Sequence, residues 1–174
     1  HGSVNTIGLR SCYDEGKRVA ETLCSDYQRI HDIDIRIMRI FNTYGPYMRS
    51  DDGRVISNFI VQALKNQTLT IYGKGNQTRS FCYIDDLING MILLMKSNYH
   101  KPVNIGNPNE ISISDIANLI RELINPNARF EFKELPSDDP IQRKPSIELA
   151  GKLFNWQPQI ELKEGLNKTI KGFK

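Results

Sequence analysis

Apolar residues recur along this chain with two alternating periods, and that alternation restricts the fold more than any other feature. Residues 12 to 31 carry Val19, Ala20, Leu23, Cys24, Tyr27 and Ile30 at helical spacing, and DIRIMRIFN (34–42) follows as a β-branched run of strand character. The turn-rich stretch TYGPYMRSDDGR (43–54) leads to a predicted helix, VISNFIVQALKN (55–66). LTIYGKGNQTRSFCYI (69–84) reads as two short strands around a glycine-rich turn. DDLINGMILLMKS (85–97) reads as a helix whose leading carboxylates suit the positive end of its dipole. PVNIGN (102–107) is a short buried strand, SISDIANLIRELI (112–124) a Ser/Asp-capped helix and RFEFKEL (129–135) an alternating strand. SIELAGKLFNW (146–156) and LKEGLNKTIKGF (162–173) read as closing helices. Strands separated by helices and short crossovers predict an α/β fold, with no internal repeat.

At 174 residues the chain can bury a real core, as one domain or as part of a larger one. Its formal charge of +3 is spread over 23 basic and 20 acidic residues, and no basic block stands alone, which argues against nucleic acid as a partner. No apolar run reaches the roughly 18 residues of a membrane span. Cys12, Cys24 and Cys82 fall into no metal-ligand or disulfide spacing, so no metal site is expected. Reduced thiols fit a reducing compartment such as the cytoplasm.

One four-residue spacing carries possible chemistry. In SCYDEGKRVAETL (11–23), Tyr13 and Lys17 stand one helical turn apart on a single face. A nearby ammonium favours phenolate, so the pair can act as a general base and acid. On spacing alone, a surface helix with Lys17 paired to Glu21 and Tyr13 partly buried accounts for the same residues. A Tyr-Lys helix would suit a nicotinamide enzyme, yet the 174 residues contain no strand followed by a glycine-rich dinucleotide turn. YGKGNQ (72–77) is rich in glycine but opens a strand.

The blocks CYDEGKRVAE, RIFNTYGP, GRVISNFI, LTIYGKGNQTRSFCYIDDL, VNIGNPNE, QRKPSI and NWQP with LKEGL occur in this order from about residue 2 to the end. Together they resemble the extended short-chain dehydrogenase/reductase family, nearest to its branch that decarboxylates UDP-glucuronate. The resemblance implies an α/β fold made of the C-terminal part of a Rossmann-like NAD-binding fold and a smaller α/β substrate-binding lobe. Residues 1–54 would belong to the NAD-binding domain and 55–174 mainly to the sugar-nucleotide lobe, with about 79–100 returning to the first.

The same resemblance implies roles for individual residues. Tyr13 would be the catalytic base at the sugar 4-hydroxyl, and Lys17 its partner, lowering the phenol pKa and holding the nicotinamide ribose. Thr43 would line the cofactor, NAD, and Arg54 would reach cofactor or substrate phosphates. Asn42, Asn58 and Tyr27 would contact the sugar nucleotide, although core packing explains Tyr27 as well and a surface ion pair explains Arg54. Ile71 and Tyr72 would flank the uracil, and Arg79 would clamp the diphosphate, for which a planar guanidinium is suited. Arg143, in DDPIQRKPSI (138–147), matches the arginine beside the sugar carboxylate; R-K-P favours decarboxylation over the R-P-G of epimerases and dehydratases.

The implied reaction takes UDP-glucuronate to UDP-xylose. NAD oxidises C4, the resulting 4-keto sugar loses its C6 carboxylate as carbon dioxide, and hydride returns to C4, so NAD is regenerated. The residues match only part of such an enzyme: a fragment, a truncated product or one half of a split pair, inactive by itself. A nucleotide-sugar 4-epimerase or 4,6-dehydratase, and a non-catalytic sugar-nucleotide-binding module, remain alternatives. Family members dimerise through helices that include the Tyr-Lys one, which implies a homodimer with Val19 and Leu23 near the partner. The resemblance leaves the Golgi lumen open if the complete protein has an N-terminal anchor.

Overall fold

Two apolar cores organise the chain, each built on a parallel strand pair. The structure is a computed structural model that describes residues 5–135 and 142–173. In the smaller core, β1 (Met38–Ile40) lies parallel to β6 (Val103–Ile105), with Met38 opposite Val103 and Ile40 opposite Ile105. Helices α3 (Ile84–Met95) and α5 (Glu148–Phe154) cover that pair and bury Leu87, Leu94, Ala150 and, just beyond α5, Trp156. In the larger core, α2 (Val55–Leu64), α4 (Ile113–Ile124) and α6 (Leu162–Phe173) pack around β3 (Leu69–Tyr72) and its parallel partner β8 (Phe130–Lys133).

A short parallel ladder joins the cores. β2 (Thr43–Tyr44) pairs with β5 (Cys82–Tyr83); Tyr44 and Tyr83 enter the larger core while Cys82 enters the smaller. A fourth sheet places β4 (Thr78–Ser80) between antiparallel β7 (Glu110–Ser112) and parallel β9 (Gln142–Arg143).

Local chemistry explains the helices. In α4 the buried residues Ile113, Ile116, Ala117 and Ile120 recur at helical spacing. Its N-cap Ser112 accepts a hydrogen bond from the Asp115 amide at 3.0 Å and donates one to the Asp115 carboxylate at 2.6 Å. At the head of α3, Asp86 accepts from the Ile160 amide at 2.9 Å, and its carbonyl accepts from Trp156 Nε1 at 3.2 Å. Those two bonds tie the α5–α6 connection to α3.

Four strand expectations are corrected. The run 34–42 is not one strand: only Met38–Ile40 joins a ladder there. Arg36 accounts for the start, because its guanidinium turns back onto Asp34, the Ile35 and Ser97 carbonyls and His100. The stretch 43–54 opens with β2 rather than a loop. Residues 69–84 form three strands, and β3 and β4 do not make a hairpin; they belong to different sheets. Gly73 and Gly75 both take left-handed φ values, of 67° and 76°, and divert the chain between them. Finally, β7 and β9 appear where no strand was expected.

Helix α1 (Ser11–His31) stands apart from both cores, and Ser11 is the residue it buries. Val19, Leu23, Tyr27 and Ile30, its apolar stripe, are exposed, so that stripe is not packed within the described residues. No helix among the described residues is long and apolar enough to cross a membrane.

Helix α6 comes close to the joining ladder at Gly165. A Cβ there would fall 2.1 Å from the Tyr44 hydroxyl and 2.8 Å from a Tyr83 ring carbon. Tyr44 is fully buried, and its hydroxyl donates to the Leu162 carbonyl at 3.2 Å, so the ring has little room to yield. Gly165→Ala should therefore lower stability by about 1–3 kcal/mol, the usual range for overpacking. A urea midpoint equal to the parent's would show that the ring moves freely.

Candidate active site

Tyr13 and Lys17 come together on the first turns of α1, as their spacing predicts. Lys17 Nζ stands 5.4 Å from the Tyr13 ring centroid, and the Arg10 guanidinium carbon 6.0 Å from it, both within cation–π range. Tyr13 is 59% exposed, so the ring is not partly buried against the rest of the described chain. Tyr27 packs instead on His31, with ring centroids 5.3 Å apart. Fourteen residues along, it sits about 21 Å further down the helix axis than Tyr13, near the other end of α1.

Arg39 of β1 links α1 to the strand pair of the smaller core by a side-chain contact. Its Nε and Nη2 donate to the two carboxylate oxygens of Glu21 at 2.7 and 2.6 Å, a bidentate pair. The Arg39 hydrogen bond holds the Glu21 carboxyl below the usual carboxylate range, and the Glu21 hydrogen bond raises Arg39 in return.

Asn42 and Thr43 leave the C-terminal end of β1 half-buried, where ligands sit in open α/β sheets. The Asn42 carbonyl accepts from the Cys82 amide at 2.9 Å, and the Thr43 hydroxyl donates to the Phe41 carbonyl at 2.9 Å. The backbone at this point is therefore held by the joining ladder. Arg54 forms the N-cap of α2; its amide donates to Asp52 at 3.0 Å and its exposed guanidinium lies 3.5 Å from the same carboxylate. Asn58, one turn later, is half-buried between the buried Ser57 and Phe59.

The glycine-rich loop shapes a cavity of about 430 Å³, lined by Gly73, Lys74, Asn76, Gln77 and Leu135. Ile71 points into the larger core and Tyr72 outward, as alternation on β3 requires. The loop is pinned by Gln77, whose Nε2 donates to the Tyr72 carbonyl at 2.6 Å. At Gly75 a Cβ would fall 2.0 Å from Ser114 Oγ, so only glycine lets the loop come this close to α4. Lys74 and Gln77 line the cavity without having been singled out from sequence; their place in and just after the Gly73-Lys74-Gly75 turn was the available signal.

Arg79 and Arg143 are brought together across 64 residues of chain, as register partners on β4 and β9. Arg79 is buried, and its Nη1 donates to the Thr78 carbonyl at 2.8 Å; Ser80 donates to the Arg143 carbonyl at 3.3 Å. Adjacent strands lie about 4.8 Å apart, so the two guanidinium stems rise side by side from one face. Such a pair favours an anionic group beside it. In the 138–147 stretch that contains Arg143, residues 138–141 lie outside the described residues.

Of the cysteines, Cys82 is the one buried in the fold, and its environment disfavours the thiolate. Cys12 and Cys24 are exposed on α1, and the Cys82 thiol is pushed up to about 12, first by burial and then by the charge of Asp86.

Comparison with known proteins places these features in context. A family model described as "NAD dependent epimerase/dehydratase family" matches residues 3–106. The chain is 56% identical over 165 residues to UDP-glucuronic acid decarboxylase 3 of Arabidopsis thaliana, covering 95% of this chain and 48% of that protein. It is 53% identical over 173 residues to UDP-glucuronic acid decarboxylase 1 of Xenopus tropicalis, covering 99% of this chain and 41% of that one. The chain thus spans about half the length, or less, of these relatives. Among solved structures, the UDP-glucuronic acid 4-epimerase of Bacillus cereus in complex with UDP-glucuronic acid and NAD superposes with a TM-score of 0.86 at 31% identity, covering 99% of this chain and 56% of that one.

The tether of α1 has a pH signature. Because the native Glu21 carboxyl titrates below its unfolded value, the Arg39 pair contributes stability above the usual carboxylate range and loses it as pH falls through the native value. Glu21→Gln should lower the melting temperature near neutral pH and converge with the parent well below about pH 4. A gap that persists in acid would count against this pair as the tether.

Proposed function

Because the chain belongs to the NAD-dependent epimerase/dehydratase family, we propose that it is part of an enzyme that decarboxylates UDP-glucuronate to UDP-xylose. The observation that carries this reading is the register of Arg79 beside Arg143 at the exit of the glycine-rich loop. It supplies two cations where a diphosphate and a sugar carboxylate would lie within one substrate. The similarity to UDP-glucuronic acid decarboxylases supports the same choice.

In this reading the uracil lies at the loop cavity against the backbone of Ile71 and Tyr72, with Gln77 holding the loop closed on itself. Arg79 binds the diphosphate, with Asn58 and Asn42 fixing the nucleotide and sugar. Arg143 holds the carboxylate that departs as carbon dioxide. Tyr13 takes the proton from the sugar 4-hydroxyl and returns it, and Lys17 favours the phenolate from one turn along the helix. Arg54 and Tyr27 are assigned to phosphate and substrate contacts in the same complex.

The residues fit one end of NAD. Lys17 offers three donors beside the Tyr13 phenol on one exposed face, a set suited to the nicotinamide ribose, with Thr43 on the neighbouring sheet edge. The pyrophosphate-binding glycine turn does not occur among the 174 residues, so we expect these residues alone not to turn over. When bound, NAD supplies the reversible removal of hydride from sugar C4 that makes loss of the carboxylate feasible.

We assign residues 1–54 to the NAD-binding domain and 55–174 mainly to the sugar-nucleotide lobe, with about 79–100 returning. Leu87 and Leu94 of α3 support that return, since they pack in the core of the β1–β6 pair. Ala150 and Trp156 pack there too and extend the returning portion. The exposed Val19 and Leu23 support a homodimer seated on α1.

Incubating the full-length natural protein with UDP-glucuronate should release carbon dioxide and leave UDP-xylose. A product that retains the carboxylate would favour an epimerase, and UDP binding by a full-length protein without turnover would favour a non-catalytic module. Arg143→Ala should reduce carbon dioxide release on the order of a hundredfold, the scale of losing one electrostatic group at a reacting centre. Undiminished release would remove Arg143 from the chemistry.

A further inference from the structure

Glu110, the first residue of β7, bridges all three strands of the β7–β4–β9 sheet or their immediate continuation. Its Oε1 accepts from Thr78 Oγ1 of β4 at 2.7 Å and from Gln142 Nε2 of β9 at 2.8 Å. Its Oε2 lies 3.5 Å from Nζ of Lys144, the residue after β9. Gln142 and Lys144 are the two chain neighbours of Arg143, and alternate residues of a strand project to the same face. Glu110 therefore grips β9 on either side of Arg143, from the face opposite to Arg143 itself. The register agrees: Thr78 lies opposite Gln142 on the gripped face, and Arg79 opposite Arg143 on the other.

The ladder alone gives this segment little hold. Among the described residues β9 is two residues long, and its backbone pairing with β4 there covers Gln142 and Arg143. The hydrogen bonds from Thr78 and then Gln142 hold the Glu110 carboxyl below the usual carboxylate range, so it is a carboxylate across the neutral region.

We propose that Glu110 is a positioning residue for Arg143: by holding Gln142 and Lys144 it fixes β9 so that the Arg143 guanidinium stands beside Arg79. The functional half of this proposal rests on the reading of Arg143 as the group at the sugar carboxylate. Glu110 itself touches no substrate in this arrangement.

The test uses the full-length natural protein with UDP-glucuronate. Glu110→Ala should lower kcat for carbon dioxide release on the order of ten- to a hundredfold, the scale of a misplaced catalytic group, while KM stays within about twofold. Glu110→Gln keeps an oxygen acceptor for Thr78 and Gln142 and should recover most of that loss. In an Arg143→Ala background, Glu110→Ala should cost nothing further, because its effect passes through the missing side chain. Hydrogen exchange gives a readout independent of turnover: Glu110→Ala should accelerate exchange at the 143 and 144 amides and leave β3 and α4 unchanged. Unaltered exchange at those amides overturns the proposal, and so do losses that multiply in the double variant. Should Arg143→Ala alone leave release intact, the role of Arg143 fails, and the exchange measurement still decides whether Glu110 holds β9.

Discussion

The rest of the architecture depends on the two-rung parallel ladder between β2 and β5. Thr43 faces Cys82 and Tyr44 faces Tyr83, and across these rungs the chain passes from one apolar core to the other. The rings lock the crossing: Tyr44 meets Tyr83 edge-on at 5.6 Å between centroids and Phe81 at 6.4 Å. Burial drives the Tyr44 hydroxyl far above its ordinary pKa, so it stays a neutral donor to the Leu162 carbonyl. Site residues leave this junction in both directions. Asn42 and Thr43 precede or begin one rung, and Arg79 lies three residues before Cys82 on the other side.

Around that apolar junction, charge does the local positioning. Carboxylate–cation contacts recur at each place where a short or exposed element must be held: Glu21 with Arg39 for α1, Asp52 with Arg54 at the start of α2, and Glu110 with Lys144 at β9. Such partly exposed pairs contribute little to global stability, about 1 kcal/mol at most. Their value lies in direction, because a bidentate or two-sided contact fixes an angle that apolar packing leaves loose. The cores supply the free energy, and the ion pairs orient the short segments that carry the candidate site residues.

How much of this was legible in the sequence follows from the range of each interaction. Helix α4 was readable because its period and its Ser112 cap are local. The Tyr13–Lys17 pair was readable for the same reason, being one turn apart. The exposure of α1 was not: the stripe of Val19, Leu23, Tyr27 and Ile30 reads as a core face whether or not something covers it. Strands of two or three residues, such as β7 and β9, carry too few side chains to show a period of two. Arg79 and Arg143 were each singled out, but their adjacency is a register between distant segments, which no local pattern encodes. Glu110 was missed for a related reason, since its role appears only once β4 and β9 flank it or its neighbours.

The exposed stripe of α1 bears directly on the Tyr13–Lys17 pair. A helix of 21 residues is marginal in water without tertiary burial, and this one includes Gly16 near its start. Its salt bridge to Arg39 is worth about 1 kcal/mol at most, whereas burying the half or more of each stripe side chain that is still exposed would contribute about 1–2 kcal/mol. Four such residues outweigh the ion pair severalfold, so whatever surface covers the stripe, rather than the Glu21 tether, sets how firmly α1 is held. Tyr13 and Lys17 ride on the same rigid rod. The orientation of the Tyr13 phenol is then coupled to the covering of a face on the body of the same helix, and the role proposed for the pair is conditional on that packing.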